Sequence, residues 1–235
     1  MTRLKRNAAA FGAAALMLAA CGSAGQEDQG SLYGQLRQIA APAVARATGQ
    51  ADQAAAPEAP LSAEEMAARA LAANPAPLIL VGLESSGSMQ VMAMVGQNGN
   101  MRTYMTPNEQ ALIIRSGMLT GTKGLGHDLS VAEVEGTAAL IRARRAGQAT
   151  RTNRYIGGDG VERPLPMNCT VALGEGKNFS FAGSGWNATQ VVETCQGGGM
   201  EVQNSYLVTA SGQIPVSRQW IGPDLGYVTI QTIRP

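Results

Sequence analysis

The feature that most constrains the fold is a regular alternation of short apolar segments and turn-forming clusters along the last two thirds of the chain. Each segment has the length of a β-strand, and the clusters between them are rich in Gly, Asn, Asp, Ser and Pro. This pattern predicts a mainly β fold, an antiparallel barrel-like or sandwich domain with one or two short helices. The predicted strands are Leu78–Leu83, Ser88–Val95, Met101–Thr106, Ala111–Ser116, Ala149–Ile156, Met167–Leu173, Asn178–Phe181, Gln190–Cys195, Glu201–Val208, Ile214–Ile221 and Tyr227–Ile233.

Three glycine-containing stretches mark the points where the chain is expected to leave a strand. Asn98-Gly99 is a strong hairpin signal, because both residues accept a positive φ. Gly174–Lys177 is predicted as a turn between two separate strands, and Gly117–Leu129 as a glycine-rich loop. That loop lacks the Gly-Lys-Ser/Thr ending of a Walker motif, so phosphate binding there is not expected.

Two helices are expected beside the strands. A capping-box pattern, a Ser followed three residues later by a Glu, occurs twice in the sequence. The pattern at Ser62 predicts a helix over Leu61–Asn74, which ends at an Asn-Pro pair. The pattern at Ser130 predicts a second helix over Val131–Ala146, with arginines near its carboxyl end.

The amino-terminal residues resemble a bacterial secretory signal that ends in a lipobox. Three basic residues precede the apolar run Ala8–Cys21, which is shorter than the ~20 residues that a membrane-spanning helix needs. Leu18-Ala19-Ala20-Cys21 has the lipobox pattern, so we expect cleavage before Cys21 and acylation of that residue by diacylglycerol and a further chain such as palmitate. Gly22, where an Asp resembles the inner-membrane retention signal, favours an outer-membrane lipoprotein facing the periplasm. Three acyl chains anchor a protein almost permanently.

Composition divides the chain into three parts. We expect a signal peptide over residues 1–20, a flexible lipidated tether rich in Ala, Gln and Pro over 21–60, and one β domain over 61–235. Removal of the signal peptide takes away three basic residues and no acidic ones, so the formal net charge falls from +1 to −2. A chain of this charge without a basic stripe gives no reason to expect nucleic-acid binding.

The sequence has three cysteines, so one of them is left without a partner if the other two form a disulfide. Lipid on Cys21 accounts for the third cysteine. With Cys21 acylated, Cys169 and Cys195 form a pair in an oxidising compartment, and we predict a disulfide between them. The alternative is that both are buried free thiols.

Two segments, Gly117–Leu129 and Ser217–Tyr227, resemble hallmarks of the YjbF/GfcB family of lipoproteins from exopolysaccharide and group 4 capsule gene clusters. The resemblance covers roughly residues 77–233, and the lipobox and the cysteine pair add to it. It implies a mostly β, barrel-like fold and an outer-membrane lipoprotein. It also implies a role in polysaccharide production or secretion beside a large outer-membrane protein. It supplies no catalytic residues.

The side chains available for catalysis argue against an enzyme. His127 is the single histidine, and Asp128 beside it in sequence is badly placed to orient its ring in a Ser-His-Asp triad. One histidine and an oxidised cysteine pair do not make a zinc site, and no spacing singles out a pair of glycosidase carboxylates. We therefore expect a non-catalytic protein without metal or cofactor.

Polar and aromatic residues of the two family-like segments are the candidate surface for a partner protein or a glycan. Trp186 is a further aromatic candidate for sugar contact. Ile214–Ile221 is interpreted as an edge or partly exposed strand on which Arg218 and Trp220 share a face, with Arg218 paired to Asp128 or Asp224. The candidate surface residues are Lys123, His127, Asp128, Arg218, Trp220 and Asp224.

The sequence is compatible with three functions. The first is an accessory lipoprotein of polysaccharide export that contacts an outer-membrane export protein or the emerging polysaccharide. The second is a carbohydrate-binding module, and the third a periplasmic lipid carrier, since a half-open barrel can hold acyl chains.

Overall fold

A computed structural model describes residues 61–235. The predicted signal peptide, Cys21 and the tether lie outside the described residues, so these assignments and the domain boundaries stay predictions. Within residues 61–235, neither helix has the length and apolar character that a membrane span requires.

Twelve antiparallel strands form one sheet that curls into a nearly closed barrel. The sheet order is β5-β4-β3-β2-β1-β12-β11-β10-β9-β8-β7-β6, which makes β5 and β6 its two edges. These edges lie side by side, since Leu129 N donates a hydrogen bond of 2.9 Å to Thr122 Oγ1. The elements are α1 (Ala63–Ala73), β1 (Leu78–Leu83), β2 (Ser88–Asn98), β3 (Met101–Met105), β4 (Ala111–Arg115), β5 (Met118–Lys123), β6 (Leu129–Glu133), α2 (Glu135–Arg142), β7 (Gly147–Ile156), β8 (Glu162–Phe181), β9 (Ser184–Gly197), β10 (Met200–Thr209), β11 (Val216–Gly222) and β12 (Gly226–Arg234).

Side chains fill the barrel, because alternate residues of each strand point inward. Leu112, Leu119, Val191 and Val208 are fully buried in one large apolar cluster. Helix α2 adds Ile141 to the same cluster and so covers one end of the barrel. We call this end of the barrel the α2 end. The opposite end carries the β5–β6 and β11–β12 turns, and we call it the loop end.

Helix α1 packs on the outside of the sheet. Its capping box forms as predicted, with Glu65 N donating to Ser62 Oγ and Ser62 N to the Glu65 carboxylate. Ala67 of this helix packs with Leu78 and Leu80, whose neighbours along β1 face the barrel core. Strand β1 is therefore buried on both faces, which explains its nearly unbroken apolar sequence.

Most predicted strands and the Asn98-Gly99 hairpin are confirmed, but three expectations are wrong. The helix expected over Val131–Ala146 is replaced by strand β6 followed by the shorter α2, whose amino-terminal cap, Val134, makes no side-chain bond. Gly174–Lys177 is not a turn: β8 runs through it, with an irregularity between Leu173 and Gly176. The glycine-rich segment contains strand β5 as well as a loop.

Strand β11 lies inside the sheet, hydrogen-bonded to β10 on one side and β12 on the other. The edge interpretation of this segment is therefore wrong, whereas the alternative, a partly exposed strand, agrees with the 40% exposure of the Arg218 side chain. Its inward residues include the buried Ser217 and Gln219. Gln219 also joins the β4–β5 connection, because its amide accepts from Leu119 N and donates to the Gly117 carbonyl.

Candidate functional site

The two family-like segments meet at the loop end. His127, in the β5–β6 loop, places Nδ1 3.3 Å from the Asp224 carboxylate in the β11–β12 turn. Both side chains are more than half exposed, so this contact is a surface pair of small energetic weight. The structure thus brings together two of the predicted surface residues that are almost a hundred positions apart in sequence.

Asp128 holds the glycine-rich loop in shape. Its carboxylate accepts hydrogen bonds from Thr122 Oγ1 at 2.7 Å, from Gly124 N at 2.8 Å and from Leu125 N at 3.2 Å. The backbone N–H groups that a bound phosphate would use are therefore occupied by the loop's own carboxylate. Lys123 beside them is exposed and makes no salt bridge within the described residues.

Arg218 pairs with Glu84, so the expected pairing with Asp128 or Asp224 is wrong. Its guanidinium donates two hydrogen bonds to the Glu84 carboxylate, at 2.6 and 2.7 Å, and lies 3.5 Å from the centre of the Tyr227 ring. The hydrogen bonds from Arg218 lower the pKa of Glu84, and the same bonds raise the pKa of Arg218. Both side chains are about 40% exposed, so this arrangement mainly fixes the guanidinium against the ring.

Trp220 is buried, which removes it from the candidate surface. It packs beside the disulfide that joins Cys169 and Cys195, which the structure contains as predicted. The edge of its ring meets Tyr155, with ring centres 6.4 Å apart. Its role is therefore packing at the loop end of the barrel.

A buried polar cluster lies next to the disulfide, and no sequence pattern indicated it. Arg151 and Glu193 are 2% and 0% exposed, and Arg151 Nη1 donates to Glu193 Oε2 at 3.1 Å. The same oxygen accepts from Asn204 Nδ2 and from the Tyr206 hydroxyl, each at 2.8 Å. Arg151 Nη2 and Glu193 Oε1 have no hydrogen-bond partner within the described residues.

Burial dominates the electrostatics of this cluster. It raises the pKa of Tyr206 well above its ordinary value, and the Glu193 charge acts in the same direction. Burial is the largest single effect on Arg151 and lowers its pKa, but the Glu193 charge and the contributions of Tyr206 and Tyr155 together outweigh it, so the pKa of Arg151 is raised. Glu193 also lies close to both cysteine sulfurs, but these are joined in the disulfide and offer no thiolate to a metal.

A cavity of about 270 Å³ opens at the α2 end. Arg102 on β3, Arg142 on α2 and Trp186 on β9 contribute to its wall, together with Tyr104 and Gln213. Trp186, an aromatic candidate for sugar contact from the sequence, thus contributes to the wall of an open cavity, and its contact with a sugar stays a prediction. The arginines were not singled out in sequence, because nothing in the local pattern shows that α2 and β3 share a cavity.

The comparisons with known proteins agree with this fold. The sequence profile of the family described as group 4 capsule polysaccharide lipoprotein gfcB, YjbF matches residues 51–233. Among solved structures, the hypothetical lipoprotein YmcC from Escherichia coli K12 is similar, with a TM-score of 0.63 and 18% sequence identity. The match covers 82% of this chain and 94% of that chain, and at this identity it supports the fold alone. No curated protein matches the chain significantly.

Proposed function

Because this chain belongs to the YjbF family of group 4 capsule polysaccharide lipoproteins, we propose that it is a non-catalytic accessory of exopolysaccharide or capsule production or secretion. In this proposal, lipid on Cys21 holds the chain at the outer membrane, and the barrel faces the periplasm. The barrel acts by contact with the polysaccharide or with an outer-membrane export protein. The observation that carries the proposal is the family match, which covers nearly all of the described barrel.

Two structural features support contact rather than catalysis or lipid transport. His127, the single histidine, is exposed and paired with Asp224, whereas general-base catalysis commonly uses groups that lie in a cleft. The barrel interior is filled by the apolar cluster, so the described residues leave no wide apolar cavity of the kind that a lipid carrier needs.

Deletion of the gene in its host tests the proposed function. We expect extracellular polysaccharide to fall, and the full-length wild-type chain to restore it. An unchanged amount of polysaccharide in the deletion strain would contradict the proposal. If the intracellular precursor accumulates, the chain acts in secretion; if it also falls, the chain acts in production.

The Cys21→Ser variant tests the anchor. Without the thiol no thioether to lipid can form, so we expect the variant to leave the outer membrane and to fail in complementation. Ser23→Ala, two residues further along, is the matched control and should restore polysaccharide fully. Full complementation by Cys21→Ser would show that lipid on Cys21 is not required.

A further inference from the structure

The cavity at the α2 end has two arginines in its wall, Arg102 and Arg142, and no Asp or Glu side chain of residues 61–235. Pro235, the last residue of the sequence, also contributes to the wall. Five other arginines of residues 61–235 each pair with a carboxylate, but neither of these two forms a salt bridge within that range. Among residues 61–235, the side chain of Arg142 makes one hydrogen bond, from Nε to the Gly212 carbonyl, which orients the guanidinium without pairing it to a carboxylate.

The remaining wall supplies groups that suit a sugar ring. Trp186 and Tyr104 provide aromatic surface, while Gln97, Asn100 and Gln213 provide amides that both donate and accept hydrogen bonds. Trp186 Nε1 is a buried donor without an acceptor within the described residues. Aromatic surface with a few convergent polar groups is the usual lining of a small-molecule site.

We propose that this cavity binds one acidic sugar unit of a polysaccharide. The two arginines bind the carboxylate, the Trp186 ring packs against the sugar ring, and the amides bind its hydroxyls. A cavity of about 270 Å³ lies just below the roughly 300–1,000 Å³ of drug-sized ligands, so it suits a single ring or a chain end. The choice of a saccharide over other small anions rests on the proposed function.

Oligogalacturonate is the probe, and its methyl ester is the matched neutral probe. We expect the full-length chain to bind the acid with a change in Trp fluorescence, in a manner that weakens with salt. The ester should bind at least about tenfold more weakly, because charge-assisted hydrogen bonds to the carboxylate are lost. Inorganic phosphate, which has no ring to pack on Trp186, should bind more weakly than the acid.

Variants assign the binding to the cavity. Arg102→Gln and Arg142→Gln should each weaken oligogalacturonate binding about tenfold or more in calorimetry. Trp186→Phe should abolish the fluorescence change, because the other tryptophan, Trp220, is buried near the loop end. Arg145→Gln is the control: it removes an exposed arginine just after α2 that does not line the cavity. Circular dichroism should show that each variant keeps its strand content.

Three outcomes would overturn the inference. They are no binding of the acid at millimolar concentration, equal binding of acid and ester, and binding of phosphate as tight as that of the acid. An unchanged affinity in Arg102→Gln would also place the ligand elsewhere. If the deletion strain still loses polysaccharide in any of these cases, the proposed function stands and this inference alone fails.

Discussion

Replacing Glu193 by Gln removes the carboxylate of the buried polar cluster while nearly preserving the side chain's volume. Glu193 Oε2 accepts hydrogen bonds from Arg151 Nη1, Asn204 Nδ2 and the Tyr206 hydroxyl, at 3.1, 2.8 and 2.8 Å. Arg151 is 2% exposed, so water does not replace the lost counter-charge. The variant therefore leaves a charged guanidinium inside the barrel without a carboxylate.

The expected loss in the free energy of unfolding is about 3 kcal/mol, the lower end of the roughly 3–5 kcal/mol for breaking a buried pair. The lower end applies because the amide oxygen that the substitution introduces still accepts hydrogen bonds from the neutral donors. This is a large share of the ~5–15 kcal/mol that holds a typical domain folded. Adding Arg151→Met to the variant removes the unpaired charge and should restore about 1–3 kcal/mol.

Guanidinium chloride unfolding of the full-length chain with its disulfide intact measures these values, with Trp fluorescence as the signal. Arg115→Gln is the control, because Arg115 and Glu135 form an exposed pair whose loss should cost below ~1 kcal/mol. A Glu193→Gln variant within about 1 kcal/mol of the wild type would refute the reasoning. A double variant no more stable than the single one would show that the unpaired charge is not the cause.

Reduction of the disulfide between Cys169 and Cys195, which are 26 residues apart in sequence, should lower the free energy of unfolding by about 3 kcal/mol on the chain-entropy estimate. Denaturant curves with and without reductant measure the difference. Hydrogen bonds from Arg163 hold the pKa of Asp159 at about 2. The stabilising effect of this pair is therefore complete above the ordinary Asp pKa of 3.8 and is lost as pH falls towards about 2; an NMR titration of Arg163→Gln should show the pKa of Asp159 rising. Ser62→Ala removes the capping hydroxyl of α1 and should cost about 1 kcal/mol in thermal or denaturant unfolding.

The strands could be predicted from sequence where local chemistry decides the structure. Leu78–Leu83 has the same bounds in the prediction and in the structure, because a short apolar run between turn residues is typical of a buried strand. The hairpin that Asn98-Gly99 signals forms with Gly99 and Asn100 as its turn residues, where Gly99 adopts a φ of 59° and Asn98 still belongs to β2. These signals act over a few residues and need no knowledge of the rest of the chain.

The wrong secondary-structure predictions arise where one local sequence pattern is compatible with two different structures. Ser130 and Glu133 fit a capping box, but both lie in β6, and the helix begins only at Glu135. Gly174 and Gly176 resemble a turn, yet β8 continues past them with a shift in its pairing register to β9. In both places the neighbouring strand β7 or β9 supplies backbone partners that the local sequence does not reveal.

The candidate site depends on contacts between distant parts of the chain. Arg218 meets Glu84 across 134 positions, and the cavity wall joins Arg102 to Trp186. Trp186 could be proposed from sequence as a sugar contact because its residue type suggests that role. The positions of the arginines beside it follow from barrel closure, which no short pattern encodes.

The sheet order has a consequence for the way the chain matures. Strands β1 to β5 and β6 to β12 are two runs of consecutive hairpins, and the pairing of β1 with β12 unites them. Strand β1, apolar on both faces, cannot gain its second neighbour until the final strand is synthesised. While the chain is synthesised from its amino terminus, the apolar surface of Leu78–Leu83 therefore lacks this partner until the end, which exposes that segment to wrong association.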